Sequence, residues 1–272
     1  MMSNILSDLG LYGRLVGMQI RAQMQYKANI ALDIGTNLAV TALEFTVLLI
    51  WFRNFPTLLG WKLGEVVLLY SLTVTNFGIS DLFGAGIDAF SETIRRGEFD
   101  RVLLRPVSTL IQVIGSDFRL RRLGRIIQSM LAFIIALRLL PNLHWTLADF
   151  IVLPLGILSG SLVFIALLLL GATVCFWTVE TTELTNLVTD GGREMLTYPL
   201  PIYHEILQRV FLFVIPLAFG SYVPACYLLG RPLPFGLPSA VVFAAPLIAL
   251  AFALLTGAIW TFGVHRYQST GS

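Results

Sequence analysis

Charge is what this sequence has least of: Asp, Glu, Lys and Arg make up 12% of its 272 residues. A soluble domain of that size carries about twice that share, so a globular protein bathed in water is excluded. Lysine occurs only at Lys27 and Lys62, and neither follows a glycine. The Gly-x-x-x-x-Gly-Lys-Ser/Thr loop that cradles nucleotide phosphates is therefore missing, and no ATP site of that kind is expected. The net charge of +2 is too small to point to nucleic acid. The 2 cysteines and 3 histidines are too few and too scattered for a metal centre. Cys175 and Cys226 fall near opposite ends of the apolar windows described below, so no disulfide is expected. His144 and His265 sit at span ends, where polar residues are common, and neither is assigned a catalytic role. The first 27 residues lack a continuous apolar core and a small-residue cleavage site, so no secretory leader is expected there.

What the chain has in quantity is apolar side chains, 56% of the total, with a mean hydropathy of +0.80. Windows long enough to cross a bilayer need about 20 residues. Six emerge, near residues 30–52, 63–83, 123–140, 150–177, 206–223 and 239–262. The fourth is long, and Pro154, Gly156 and Gly160 predict a break or tilt in it; Pro216 predicts the same in the fifth. Ahead of the first window, Ile5, Leu9, Tyr12 and Val16 recur at helical spacing among Asp8, Arg14, Arg21 and Lys27. That pattern predicts an interfacial amphipathic helix over residues 1–28. The fold class expected is an all-α membrane protein forming a single transmembrane domain over 1–272.

Basic residues resist translocation and mark the cytoplasmic side. With both termini inside, the inner segments hold the dense run from Arg95 to Arg125, while Arg53, Lys62, Arg138 and Arg231 fall outside. The richest part of the run is the loop over 89–106, which mixes Ser91, Glu92, Ile94, Arg95, Arg96, Gly97, Glu98, Phe99, Asp100 and Arg101. Gly97 fits the position just past a helix end, where a left-handed backbone is needed, and Pro106 stops the next helix from starting early. A short helix bearing Ile94 and Phe99 among these charges suits a partner's groove. An equally open reading is a solvated loop whose arginines fix orientation and meet anionic lipid headgroups.

The stretch Ile94-Arg-Arg-Gly-Glu-Phe-Asp-Arg-Val-Leu-Leu-Arg-Pro-Val-Ser108, followed by Ser116-Asp-Phe-Arg-Leu-Arg-Arg-Leu-Gly-Arg125, resembles the ABC-2 type permeases of bacterial ATP-driven exporters, in the branch described as ABC-2 family transporter protein. The resemblance implies a type V exporter-like architecture. It also implies that Ser91 to Arg101 form a coupling helix docking on cytoplasmic ABC ATPase subunits, and that a second permease subunit, identical or paralogous, completes the path. ATP and Mg would be bound by the partner ATPase, with no cofactor in this chain, and the location would be the bacterial plasma membrane. One departure is the brief segment from Pro224 to Pro238, where many relatives have an outer region with re-entrant helices; its prolines and glycines read as an irregular turn, unless part of the fifth window folds back.

Polar residues inside apolar windows complete the reading. Glu44 is the deepest, and Asn76 and Asp81, with Thr73 and Thr75, are candidates to join it along the translocation path or a subunit seam, or else to bond helix to helix. Asp33 and Asp88 fall near the interface and need no pathway role. Glu180 to Glu183 and Asp190 to Glu194 read as a polar cytoplasmic connection, and Glu205 with Arg209 as an ion pair one helical turn apart. Gly84-Ala-Gly-Ile-Asp-Ala89 follows a span rather than a strand, so it reads as close helix packing and not as a dinucleotide fingerprint. The alternative function is an ion-coupled secondary transporter, for which the internal repeat is missing. A membrane-embedded enzyme would need acids, histidines or a nucleophile gathered at one depth.

Overall fold

A computed structural model of the chain describes residues 2–143, 145–178 and 182–267. His144 and Glu180 lie outside the described residues, as do the side chains of Ile5, Leu9 and Tyr12. The described chain is nearly all helix, and no strand occurs among the described residues. Helix α1 (Met2–Gln23) leads through one tight turn into α2 (Lys27–Asn54). Helix α3 (Leu63–Asp88) follows, then the short α4 (Phe90–Arg95), α5 (Phe99–Leu103) and α6 (Thr109–Ile114). Helices α7 (Leu123–Leu139), α8 (Leu147–Val174), α9 (Thr182–Leu196), α10 (Glu205–Arg209), α11 (Tyr222–Leu228) and α12 (Ala245–Arg266) complete the order.

Helix α3 is the axis of the bundle, because almost its whole length is covered by neighbours. Its first turn is closed by Glu65, whose carboxylate accepts the Lys62 backbone N–H at 2.7 Å. The N-terminus of α8 is closed the same way, with Asp149 accepting both the backbone N–H and the hydroxyl of Thr146. Helix α7 runs antiparallel to α3: Gly64 meets Leu139 at one end and Gly78 meets Ile126 further along. Helix α8 runs parallel to α3, with Gly160 against Asn76, Phe164 against Phe77 and Leu168 against Gly84. The outer flanks stay apolar and open. Leu32, Leu43 and Val47 of α2 and Leu247 and Leu254 of α12 are each 65 to 70% exposed. A belt of that kind is stable only in hydrocarbon, so the bundle is built for a bilayer.

The fifth apolar window is not a span. Helix α9, composed of the polar stretch expected to be a cytoplasmic connection, instead climbs along α3: Thr73 donates to the Leu196 carbonyl at 2.8 Å, and the Arg193 guanidinium lies 5.3 Å from the centre of the Phe77 ring. The chain then turns at residues 200–202 beside the far half of α2 and folds back through α10 and a five-residue π-helical stretch, Val210–Val214. It reaches the middle of the bundle again where Gly220 touches Gly160, and leaves through α11. Residues 205–228 thus form a re-entrant hairpin. The sequence misleads here because apolarity marks burial, not direction, and Pro216 and Pro224 prevent a continuous helix. Pro154, by contrast, breaks nothing: α8 is continuous, and Gly156 and Gly160 serve to admit Pro224 and Gly220 at close range.

At the end of the bundle carrying the 89–106 loop, α1 is fastened by two glutamines. Gln19 donates to the carbonyls of Gly115 and Ser116 and accepts the Phe118 N–H; Gln23 donates to the Phe118 carbonyl and accepts the Leu120 N–H. Side-chain amides therefore satisfy the irregular backbone between α6 and α7, which helical bonding does not reach.

Candidate functional site

The 89–106 loop is folded, not merely solvated. Gly97 takes φ of +68°, and its N–H bonds the Ile94 carbonyl while the Glu98 N–H bonds the Thr93 carbonyl, the paired bonds of a Schellman helix end. The glycine was correctly placed by the sequence; the side chains flanking it were not. Ile94 and Phe99 point into the protein, with Phe99 fully buried, so neither is offered to a partner's groove. Phe99 meets Phe90, Phe176 and Tyr267 at ring separations of 5.2, 5.5 and 5.1 Å, and Phe90 meets Trp260 at 4.9 Å. Rings from the loop, from just beyond α8 and from α12 thus make one aromatic cluster. Their amphipathic neighbours explain the inversion: with charges at five of the eight positions from Arg95 to Val102, the aromatic ring is the group that gains most from leaving water.

The outward surface is made by what remains. Arg95 and Arg96 are exposed and both pair with Glu92, Arg96 through Nε at 2.6 Å. Glu98 and Arg101 are exposed, Ser91 and Asp100 half-buried. Burial, with the Asp100 carboxylate beside it, raises the Tyr267 phenol above its ordinary range. Just past α5 stands Leu104, 85% exposed between Arg101 and Arg105. The turn presenting it is held from behind by buried Gln112, whose amide donates to the carbonyls of Val102 and Val107 at 3.1 and 3.0 Å. Neither Leu104 nor Gln112 was singled out from sequence. The signal available was the position of Leu-Leu directly before Arg-Pro, where helix periodicity has ended and no inner face remains for the second leucine.

Behind the loop lies a cavity of about 380 Å³ lined by Asp33, Asn37, Asp81, Asp88, Arg122 and Asp190 among others. Arg122 pairs with both Asp81 and Asp88, the latter at 2.8 Å, and Arg125 pairs with Asp81 at 2.5 Å. Asp88 is therefore part of a network, and the basic run before α7 does more than anchor it. Asp81 accepts two guanidiniums because a lone carboxylate at this position would be strongly disfavoured.

The three polar candidates do not converge. Glu44 accepts the Tyr70 hydroxyl at 2.5 Å, and that hydroxyl accepts the Gln128 amide at 2.6 Å. Asn76 donates to the Gly220 carbonyl at 2.7 Å, and Asp81 belongs to the arginine network. Glu44 joins the bond that ties α3 to α2 and α7, Asn76 ties α3 to the re-entrant hairpin, and Asp81 ties it to the start of α7. Glu205 and Arg209 pair at 2.5 Å as their spacing predicts. Cys175 and Cys226 are buried in separate clusters, and His265 bonds the Thr261 carbonyl within its own helix. Among the described residues no cluster of His, Cys, Asp and Glu is arranged to hold a metal ion.

No curated protein and no solved structure matches the chain. A family model described as ABC-2 family transporter protein matches residues 38–271, which takes in α3, the loop, the aromatic cluster and the re-entrant hairpin. The chain belongs to the ABC-2 family of transporter proteins and is a multi-pass membrane permease component of an ABC transporter.

Proposed function

We propose that this permease is the membrane subunit of a bacterial ATP-driven exporter, docked on cytoplasmic ABC ATPase subunits through the 89–106 loop. The observation that carries the reading is the position of Phe99. A loop whose charged and leucine side chains face outward, and whose buried ring is shared with α12 and the end of α8, transmits a push on its surface to two spans at once. ATP-driven closure of the ATPases would move α4 and α5 as a unit and tilt the bundle between inward-open and outward-open states. A second permease subunit, identical or paralogous, completes the path. Both termini lie in the cytoplasm under this reading, because the basic loop end of the bundle resists translocation. The docking residues are Glu92, Arg95, Arg96, Glu98, Arg101 and Leu104, with Ser91 and Asp100 at the margin and Ile94, Gly97 and Phe99 shaping the support.

An ion-gradient carrier would draw on the carboxylates around the cavity behind the loop. There Asp81 and Asp88 are already neutralised by Arg122 and Arg125, an arrangement that serves structure better than ion exchange. The experiment that separates these is co-purification of the Leu104→Glu variant with its cognate ATPase. Loss of the ATPase with the permease still folded supports docking at this surface, and full retention with unchanged stimulated hydrolysis defeats it.

A further inference from the structure

Beside α2 runs a groove whose two ends differ in chemistry. At one end, a space of about 200 Å³ is lined by Glu44, Tyr70, Glu194 and Tyr198. At the other, a space of about 310 Å³ is lined by Trp51, Phe52, Leu58 and Tyr203. The two share Val47, Leu48 and Tyr198, so they form one trough. Glu44, Val47, Leu48, Trp51 and Phe52 recur at spacings of three and four, a stripe along α2 that is roughly 12 Å long at 1.5 Å per residue. The opposite wall is α9 and the turn after it, held against α3 by the bond from Thr73 to the Leu196 carbonyl.

From this geometry we infer that the trough binds an amphipathic organic cation, with its positive group between Glu44 and Glu194 and its apolar body against Trp51 and Phe52. Two carboxylates stand at the polar end against one guanidinium, that of Arg193, which lies 3.3 Å from Glu194 and faces Phe77. A cation there meets a net negative charge in a medium of low dielectric constant, where attraction is strong. Phenol and indole rings at Tyr70, Tyr198, Tyr203 and Trp51 add faces that favour positive charge. Both spaces together reach the size range of small-molecule sites, and their mix of apolar wall with few polar groups is what such sites use. The trough opens at Val47, which is 65% exposed, onto the apolar flank of α2, so an amphiphile has access from hydrocarbon. The inference deepens the exporter reading by giving the class of its cargo.

The test is equilibrium binding of radiolabelled tetraphenylphosphonium to the full chain in phosphatidylcholine nanodiscs, with empty nanodiscs subtracted and the equally shaped anion tetraphenylborate in parallel. Saturable binding of the cation, with none of the anion, is expected. Glu44→Gln should weaken it on the order of tenfold, Glu44→Asp should restore most of it, and Trp51→Leu should weaken it roughly threefold. Equal binding of both ions, no saturable binding because lipid or a second copy fills the trough, or unchanged affinity in Glu44→Gln would overturn the inference. Since Glu44 also bonds Tyr70, thermal unfolding accompanies each variant; if Glu44→Gln does not fold, Glu194→Gln carries the charge comparison, again with unchanged affinity counting against the site. An ATPase that fails to co-purify would defeat the exporter reading and leave this binding result standing.

Discussion

Phe99 of the loop stands edge-on to Phe90 at the start of α4, with ring centroids 5.2 Å apart and planes at 88°. The arrangement makes the loop a rigid extension of the spans, because the same ring also touches Phe176 and Tyr267.

Removing that ring should loosen the loop without touching its outer surface. Phe99→Ala is expected to destabilise the protein by about 3 kcal/mol, read as a lower unfolding temperature. ATPase binding should persist while transport falls relative to hydrolysis. Equal loss of binding and transport would mean that the ring serves docking directly.

The arginine network gives a second prediction. Arg122 bridges Asp81 and Asp88, and its side chain is 12% exposed, whereas Arg119 pairs with Asp117 at 33% exposure. Arg122→Gln should cost about 3 kcal/mol by taking the Arg122 guanidinium from Asp88 and leaving Asp81 with that of Arg125 alone in a confined site, and Arg119→Gln less than about 1 kcal/mol. A chemical-unfolding comparison of the two variants measures the difference directly.

Glycine positions separate close packing from open surface. A Cβ on Gly220 would come within 2.2 Å of the Gly160 Cα, while one on Gly257 would meet nothing within 4 Å. Gly220→Ala should therefore displace the re-entrant hairpin and abolish transport or folding, and Gly257→Ala should be silent. Expression level and gel-filtration profile of the two variants check this.

The fastening of α1 predicts a fourth outcome. Replacing Gln19 and Gln23 together by Ala removes hydrogen bonds worth about 1 kcal/mol each. Limited proteolysis near Gln23 should become faster while the rest of the bundle stays intact. Unchanged cleavage would show that α1 is held by other means.

Much of this architecture was legible in the residues. Long apolar runs located α2, α3, α8 and α12, Gly97 located the end of α4, and Glu205 with Arg209 located a helical turn. The loop motif pointed to the family. What stayed hidden depends on contacts distant in sequence. Helix α9 reads as polar because Arg193 and Asp190 dominate its composition, yet Arg193 is accommodated on the Phe77 ring and Gly192 lets Leu217 approach. The segment after it reads as a span because hydropathy counts burial and is blind to a reversal at mid-depth. Phe99 reads as exposed among charges because only the folded chain brings Phe176 and Trp260 beside it. Asn76 reads either as a pathway group or as a bond between helices, and nothing in its own helix shows that the Gly220 carbonyl will be what accepts from its amide.

The coupling account is tested most directly by a cysteine placed at Leu104, since the two native thiols are buried. Treating membranes that contain the Leu104→Cys permease and its ATPase with a short cross-linker that reacts with a thiol at one end and an amine at the other should join the new cysteine to a lysine of the ATPase, in a way that nucleotide binding alters. Failure to cross-link, together with labelling of Leu104→Cys by a membrane-impermeant thiol reagent added outside intact cells, would place the loop on the wrong side of the membrane and contradict the account.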